Sequence, residues 1–221
     1  MKTKLGGAYW KLWSATAISN LGDGVSAIAY PWLASAVTRS PILIAAAGFA
    51  SRLPWLIFTL HAGVITDRFD RRKLIVGMDF FRGLLTVAVG VIVLLNHDSL
   101  PSLNELKSLT DLDTNWALYV TLVIASFLFG MAEVLRDNSA QTLMPSVVAE
   151  ENLEKANGRI WSAESLTNSF IGPPLGSLLI GISIFIPFFF DAVSFFVAVA
   201  LIASISGSFK PISEEPRVKL N

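Results

Sequence analysis

The sequence predicts an all-α integral membrane protein of six transmembrane helices, and three observations carry that prediction. Of its 221 residues 53% are hydrophobic and only 15% charged, against about 25% charged in an ordinary soluble domain. Six stretches reach the roughly 20 mostly apolar residues that a bilayer-spanning helix needs. Basic residues are divided very unevenly between the connections on the two sides. Lys plus Arg and Asp plus Glu stand at 17 each, so no charge bias points to nucleic acid. With no cysteine there is no disulfide framework, thiolate metal site or cysteine nucleophile. His61 and His97 are the only histidines, too few for a multi-histidine metal centre. No cofactor and no metal are expected.

The first span, 10–37, is interrupted by Gly22-Asp23-Gly24. Lys2 and Lys4 before it, and Ala34-Ser35-Ala36 near its end, imitate a signal peptide. The apolar stretch is too long for one, and a second span, 41–63, follows after only residues 38–40. A basic turn leads to the third span, 74–96. The polar segment 97–114, with Pro101, Glu105, Asp111 and Asp113, leads to the fourth, 115–137. Segment 138–156 mixes polar residues with Leu143, Met144 and Val147 and reads as a helix along the membrane surface. The fifth span, 157–183, and the sixth, 186–208, form a tight hairpin, so residues 1–208 make one bundle with a short tail, 209–221.

Charge placement orients the bundle. Lys2, Lys4, Lys11, Arg68, Arg71, Arg72, Lys73, Arg136, Lys155, Arg159, Lys210, Arg217 and Lys219 fall on one side, and only Arg39 and Lys107 on the other. The positive-inside rule then puts both termini in the cytoplasm. Trp10, Trp13, Trp116 and Trp161 sit near expected interfaces, where amphipathic rings are favoured.

The turn between the second and third spans runs Gly63-Val64-Ile65-Thr66-Asp67-Arg68-Phe69-Asp70-Arg71-Arg72-Lys73. Gly63 would let two helices approach closely, and Asp67 could cap a helix end or face a helix N-terminus. The basic residues would hold the turn at an anionic leaflet. The string resembles the signature loop of the major facilitator superfamily at Gly63, Asp67, Arg68, Arg71 and Arg72, with Asp70 where that family usually has Gly. Gly172-Pro173-Pro174-Leu175-Gly176 is similar to the antiporter motif of facilitator exporters, with Ser177 in place of the usual last Gly. Gly22-Asp23-Gly24, Pro145 to Val148 and Asn152-Leu153 through Ala156-Asn157 resemble the branch of enterobactin exporters and macrolide-efflux proteins. The resemblance implies a twelve-span fold of two six-helix halves, each made of two inverted three-helix repeats. This chain would be the N-terminal half, and residues 209–221 a cytoplasmic tail or the start of the linker between halves.

Ionisable residues inside the spans are where chemistry is expected. Asp23 lies near the middle of the first span, where a carboxylate is costly unless paired, hydrated or protonated, which suits a proton-exchanging group. Gly22 and Gly24 allow a local helix break that exposes carbonyls to a cavity. Counted from Arg39, Asp23 is 16 residues back and Arg52 is 13 forward. That difference is about 4.5 Å of helix, so the two are expected to pair or to share a water-filled cavity. Arg82 follows Asp79 by three residues on one helix face and pairs with it or serves the pathway. Glu133, Arg136 and Asp137 cluster at the end of the fourth span. The resemblance implies that Arg71 or Arg72 with Glu133 or Asp137 forms an inner gate. Glu164, Thr167 and Asn168 make the start of the fifth span polar, toward either the cavity or the surface helix. The glycines and prolines Gly172, Pro173, Pro174 and Gly176 would bend that span and allow close contact. Phe185 and Phe188 to Phe190 read as lipid-facing bulk and hairpin packing rather than a drug pocket.

The expected function is secondary active transport by alternating access, as a proton-coupled exporter of amphipathic small molecules such as macrolides or siderophores. It would sit in the plasma (bacterial inner) membrane. The expected partners are the lipid bilayer, a second six-helix half or a second copy, the substrate and protons. The alternative is a non-transporting membrane scaffold or assembly subunit derived from a facilitator. An enzyme is not expected: no His-Glu-x-x-His or Gly-x-Ser-x-Gly string occurs, and no helix carries paired carboxylates at catalytic spacing.

Overall fold

Eight α-helices, with no strand among the described residues, build the chain in a computed structural model that describes residues 5–101, 103–109 and 111–210. They are α1 (Gly7–Val37), α2 (Pro41–Thr66), α3 (Arg71–Leu95), the short α4 (Leu103–Ser108), α5 (Trp116–Val147), α6 (Leu153–Glu164), α7 (Gly172–Ile182) and α8 (Ile186–Ala203). Four of them, α2, α3, α5 and α8, are long and apolar enough to cross a membrane. Lys2, Lys4, Arg217 and Lys219, which enter the charge argument, lie outside the described residues, as does the tail from 211 onward.

Local chemistry sets the ends. Pro41 and Pro187 stand in the first turns of α2 and α8, where a missing N–H costs nothing. Asn115 caps α5 by accepting from the Leu118 N–H, and Asp70 caps α3 by accepting from the Lys73 N–H. Three expectations about helix continuity change. α1 runs unbroken from Gly7 to Val37, so Gly22 and Gly24 do not break it. No separate surface helix occupies 138–147, because α5 runs 32 residues without a break. At about 1.5 Å per residue that is roughly 48 Å, longer than a bilayer's hydrocarbon core. The stretch expected as the fifth span is a helical path from Leu153 to Ile182 interrupted by a π-helical segment, Ser165–Ile171. Pro173 and Pro174 follow at once; their rings and missing N–H groups disrupt the ordinary ladder, and the wider π turn is one way to absorb that.

α1 packs against α8, α7 and the π segment, α2 against α5, and α3 against both α5 and α8. Two apolar clusters lie toward opposite ends of the bundle. One joins Ala29, Leu33, Val89, Leu122 and Phe188; the other joins Tyr9, Leu12, Ile75, Leu143 and Ile202. Between them α1, α3, α5 and α8 contribute buried polar residues, among them Ser19, Asp79, Arg82, Arg136 and Asp191. The outward faces of α2 and α7 are apolar and open, with Leu60 85% exposed and Ile182 73%, as expected of surfaces that meet lipid or another apolar body.

The expected close contact at Gly63 is absent, since a Cβ there would meet open space. Close approach occurs instead between α1 and the broken helix. A Cβ on Gly24 would stand 2.5 Å from the Asn168 carbonyl oxygen, and one on Gly172 would stand 2.5 Å from the Gly24 Cα. Only glycine at both positions lets these backbones touch.

Candidate functional site

Arg82 is the centre of the polar layer. Its side chain is 1% exposed, and its Nη2 donates to Asp23 Oδ1 at 2.5 Å. Its Nη1 lies 3.5 Å from Asp79 Oδ1, one helical turn back. The guanidinium is stacked between two rings, with Cζ 4.5 Å from the Phe129 centroid and 4.3 Å from that of Phe195. A weakly hydrated planar cation suits such a slot, and a lysine would not fill it. Four helices therefore meet at one side chain: α1 through Asp23, α3 through Arg82, α5 through Phe129 and α8 through Phe195.

The network continues past Asp79. The same Oδ1 lies 3.4 Å from Arg136 Nε, and Arg136 Nη1 donates to Asp137 Oδ1 at 3.1 Å. Arg136 Nη2 also donates to Thr16 Oγ1 at 3.2 Å and Ser19 Oγ at 3.3 Å. Charges thus alternate along Asp23, Arg82, Asp79, Arg136 and Asp137, which lets buried ions offset one another's desolvation. Asp137, 32% exposed, ends the row.

Beside this row lies a cavity of about 300 Å³, at the small end of ligand pockets. Asp23, Ser26 and Tyr30 of α1 line it, with Arg52 of α2 and Phe129 and Glu133 of α5. Its walls are mostly apolar with a few convergent charges, the composition of a site for an amphipathic molecule. Arg52 and Glu133 have no ion pair among the described residues, although each lies in the other's field.

The sequence-derived candidates are distributed as follows. Asp23 and Arg52 line one cavity, but Asp23 pairs with Arg82. The count from Arg39 compared heights along two helices and ignored direction: α2 turns its packing face to α5, while α1 turns toward α7 and α8. Arg82 meets Asp79, as its spacing allowed, and Asp23 as well. The inner-gate pair is not formed. Arg72 Nη1 donates to the Ile205 carbonyl, Asp137 belongs to Arg136, and Glu133 faces the cavity. Arg71 makes no ion pair among the described residues; its backbone N–H donates to the Phe209 carbonyl at 3.3 Å. Asp67 closes α2 through its N–H on the Gly63 carbonyl, and its side chain is exposed, as is that of Arg68. Glu164 is half-buried toward Arg136 and Asp137. Gly172 and Gly176 both press on α1, and Pro173 and Pro174 open α7. Phe188 is core, edge-on to Tyr30 at 5.4 Å, rather than lipid-facing.

Phe129, Phe195 and the role of Asp70 escaped sequence reasoning. Phe129, Glu133 and Arg136 lie four and three residues apart, so the sequence did hold a one-face signal that joins the ring to the acid and base already singled out. Phe195 carried no signal beyond the general abundance of Phe. Asp70 proves to be a clasp. Its Oδ1 accepts from the Lys73 N–H and its Oδ2 from the Phe209 N–H, both at 3.2 Å. Burial pushes this carboxyl up, but those two N–H donors and the Arg72 charge outweigh it and hold the group below the usual carboxylate range.

The chain is 23% identical over 173 residues to macrolide efflux protein A of Streptococcus pyogenes, a match covering 77% of this chain and 37% of that protein. It is 27% identical over 171 residues to the multidrug efflux pump Tap of Mycobacterium tuberculosis, covering 75% and 36%. The chain therefore spans little more than a third of the length of these relatives. Among solved structures, a bacterial homologue of the iron transporter ferroportin in its outward-facing state superimposes with a TM-score of 0.66 at 18% identity. That match covers 88% of this chain and 48% of the other, and at such identity it speaks to fold alone. Residues 6–216 match the family described as transmembrane secretion effector, and the chain belongs to that family of the major facilitator superfamily.

Proposed function

We propose that the chain is the six-span N-terminal half, residues 1–208, of a proton-coupled exporter of amphipathic small molecules such as macrolides or siderophores. Its spans are about 10–37, 41–63, 74–96, 115–137, 157–183 and 186–208, in two inverted three-helix repeats, with both termini cytoplasmic in a plasma (bacterial inner) membrane. The packing supports the repeat: under inversion α1 corresponds to α5, α2 to the broken α6–α7 path, and α3 to α8. The contact of α1 with α7 then has its mate in α5 with α2, and that of α1 with α8 in α5 with α3. The close seams correspond too. Gly24 presses on the broken helix, and Gly130 of α5 presses on the Ser51 carbonyl of α2.

The observation that carries the function is a cavity whose wall includes a carboxyl ion-paired to a fully buried arginine. A proton on Asp23 cancels the larger share of the charge that holds Arg82, and α1 loses its tie to the other three helices meeting there. Substrate contacts at Arg52 and Glu133 would bias the same element from the cavity side. Alternating access would rock this bundle against a second six-helix half, or a second copy, seated on the apolar faces of α2 and α7. The alternative, a membrane scaffold without transport, has the same fold and no use for a charged cavity. Cells expressing the protein should accumulate less radiolabelled macrolide than empty-vector cells, and a protonophore should abolish the difference. Equal accumulation with the protein present in the membrane, for a macrolide and a siderophore alike, would leave the scaffold.

A further inference from the structure

We propose that Asp191 is a second proton-holding group of the transport site, and that it shares Arg82 with Asp23, so that a proton resides on whichever acid the arginine does not hold. The proposal rests on the proton-coupled reading above and adds a group that no sequence motif assigns.

Asp191 lies in α8 and is 0% exposed. Its Oδ2 is 2.5 Å from Ser26 Oγ of α1, and its Oδ1 is 3.4 Å from Ser194 Oγ. The Ser194 hydroxyl already donates to Asp191's own carbonyl oxygen at 2.7 Å. No cation stands within ion-pair distance among the described residues. α1 is pressed onto the site: a Cβ on Gly22 would collide with Asp191 Oδ1 and Ser194 Oγ. The ionisable groups facing it are Asp23 and Tyr30 from α1 and Arg82 from α3. Two of these three are acids, and the only base is the arginine held by Asp23.

A carboxylate closed off from water without a cation is costly, and the neutral acid is the state that such a site favours. Ser26 gives it an exit, because Ser26 also lines the cavity. In the neutral state Asp191 Oδ2–H donates to Ser26 Oγ. On release, that proton bonds to Ser26 Oγ while Ser26 passes its own hydroxyl proton to cavity water. One O–H bond breaks at Asp191 and one forms on the water, Ser26 ends as it began, and nothing is oxidised or reduced. The new Asp191 carboxylate needs Arg82, and Asp23 gives it up by taking a proton from the cavity. Two acids on one arginine thus exchange a single charge across the seam between α1 and α8.

The test is infrared spectroscopy of the protein in lipid, following the carbonyl stretch of protonated carboxyl groups as pH is raised from neutral. Asp191→Asn should remove one such band. Ser26→Ala should shift that band to higher frequency by removing its hydrogen bond, which keeps the test open if Asp191→Asn does not fold. Asp23→Asn frees Arg82 for Asp191 and should abolish the band at neutral pH; a merely structural acid would keep it. A band that survives Asp191→Asn, that ignores Ser26→Ala, or that persists unchanged in Asp23→Asn overturns the proposal. None of these readouts involves transport. Bands that behave as described in a protein whose wild type moves no substrate against a pH gradient would refute the transport reading and leave the shared proton standing.

Discussion

Replacing Asp23 and Arg82 singly and together tests the ion network most sharply. Removing one partner of a buried pair costs about 3–5 kcal/mol, because the other charge is left uncompensated. Arg82 has a second carboxylate, however. With contacts at 2.5 Å and 3.5 Å, the inverse-distance law divides its attraction about 60:40 between Asp23 and Asp79. Asp23→Asn should therefore cost about 2–3 kcal/mol, roughly 60% of the full figure. Arg82→Gln should cost more, about 4 kcal/mol, because it strands Asp23 and also empties the slot between Phe129 and Phe195. The double variant strands no charge at Asp23, so its cost should fall short of the sum by about 2 kcal/mol. Reversible unfolding in mixed detergent–dodecyl sulfate micelles, followed by circular dichroism, measures all three. Costs that add to within about 0.5 kcal/mol would mean that the pair does not interact in the folded protein.

Other predictions concern packing and the turn. Gly24→Val should destabilise by about 3 kcal/mol or more through overpacking against Asn168 and Gly172, read as loss of monodisperse protein on size exclusion, whereas Gly63→Val should behave as wild type. Asp70 is held below the ordinary carboxylate range in the folded protein, so its contribution is present at neutral pH and is lost as pH falls through that lowered value. Asp70→Asn should lower the thermal midpoint at pH 7 and flatten its decline below about pH 4; parallel acid limbs in the two proteins would contradict the clasp. Phe129→Leu removes one ring from Arg82 and should cost about 1–2 kcal/mol beyond its lost area, measured by comparison with the same substitution made together with Arg82→Gln.

Helices were legible in the sequence because their signals are local. Long apolar stretches and the polar segment after Asn96 each depend on a few neighbouring residues. The ends of α5 and the break before Gly172 were harder. Whether polar residues 138–147 continue a helix depends on α6 and α1 packing over Leu143 and Met144, which no local pattern reveals. The site was legible in its parts and not in its pairings. Asp23, Arg52 and Arg82 stand inside apolar stretches of sequence, which marks them as costly and therefore purposeful. Which two meet is set by helix rotation and by contacts between α1, α3 and α8, residues far apart in sequence. Arg136 was misplaced for a related reason. Its position at the end of a span suggested an aqueous gate, but its partners Thr16, Ser19 and Asp79 come from two other helices and enclose it. The facilitator resemblance gave the family and could not give these pairings, because a motif fixes residue types rather than the partners they find.

We propose that Asp23, held by Arg82 at the cavity wall, is where a proton is exchanged for substrate. Proteoliposomes containing the protein, given an external macrolide and an imposed pH gradient with the inside acid, decide this when wild type is compared with Asp23→Asn. Wild type should show gradient-driven uptake that a protonophore collapses. Asp23→Asn should retain binding and substrate exchange but not respond to the gradient. Gradient-driven uptake that survives Asp23→Asn would contradict it.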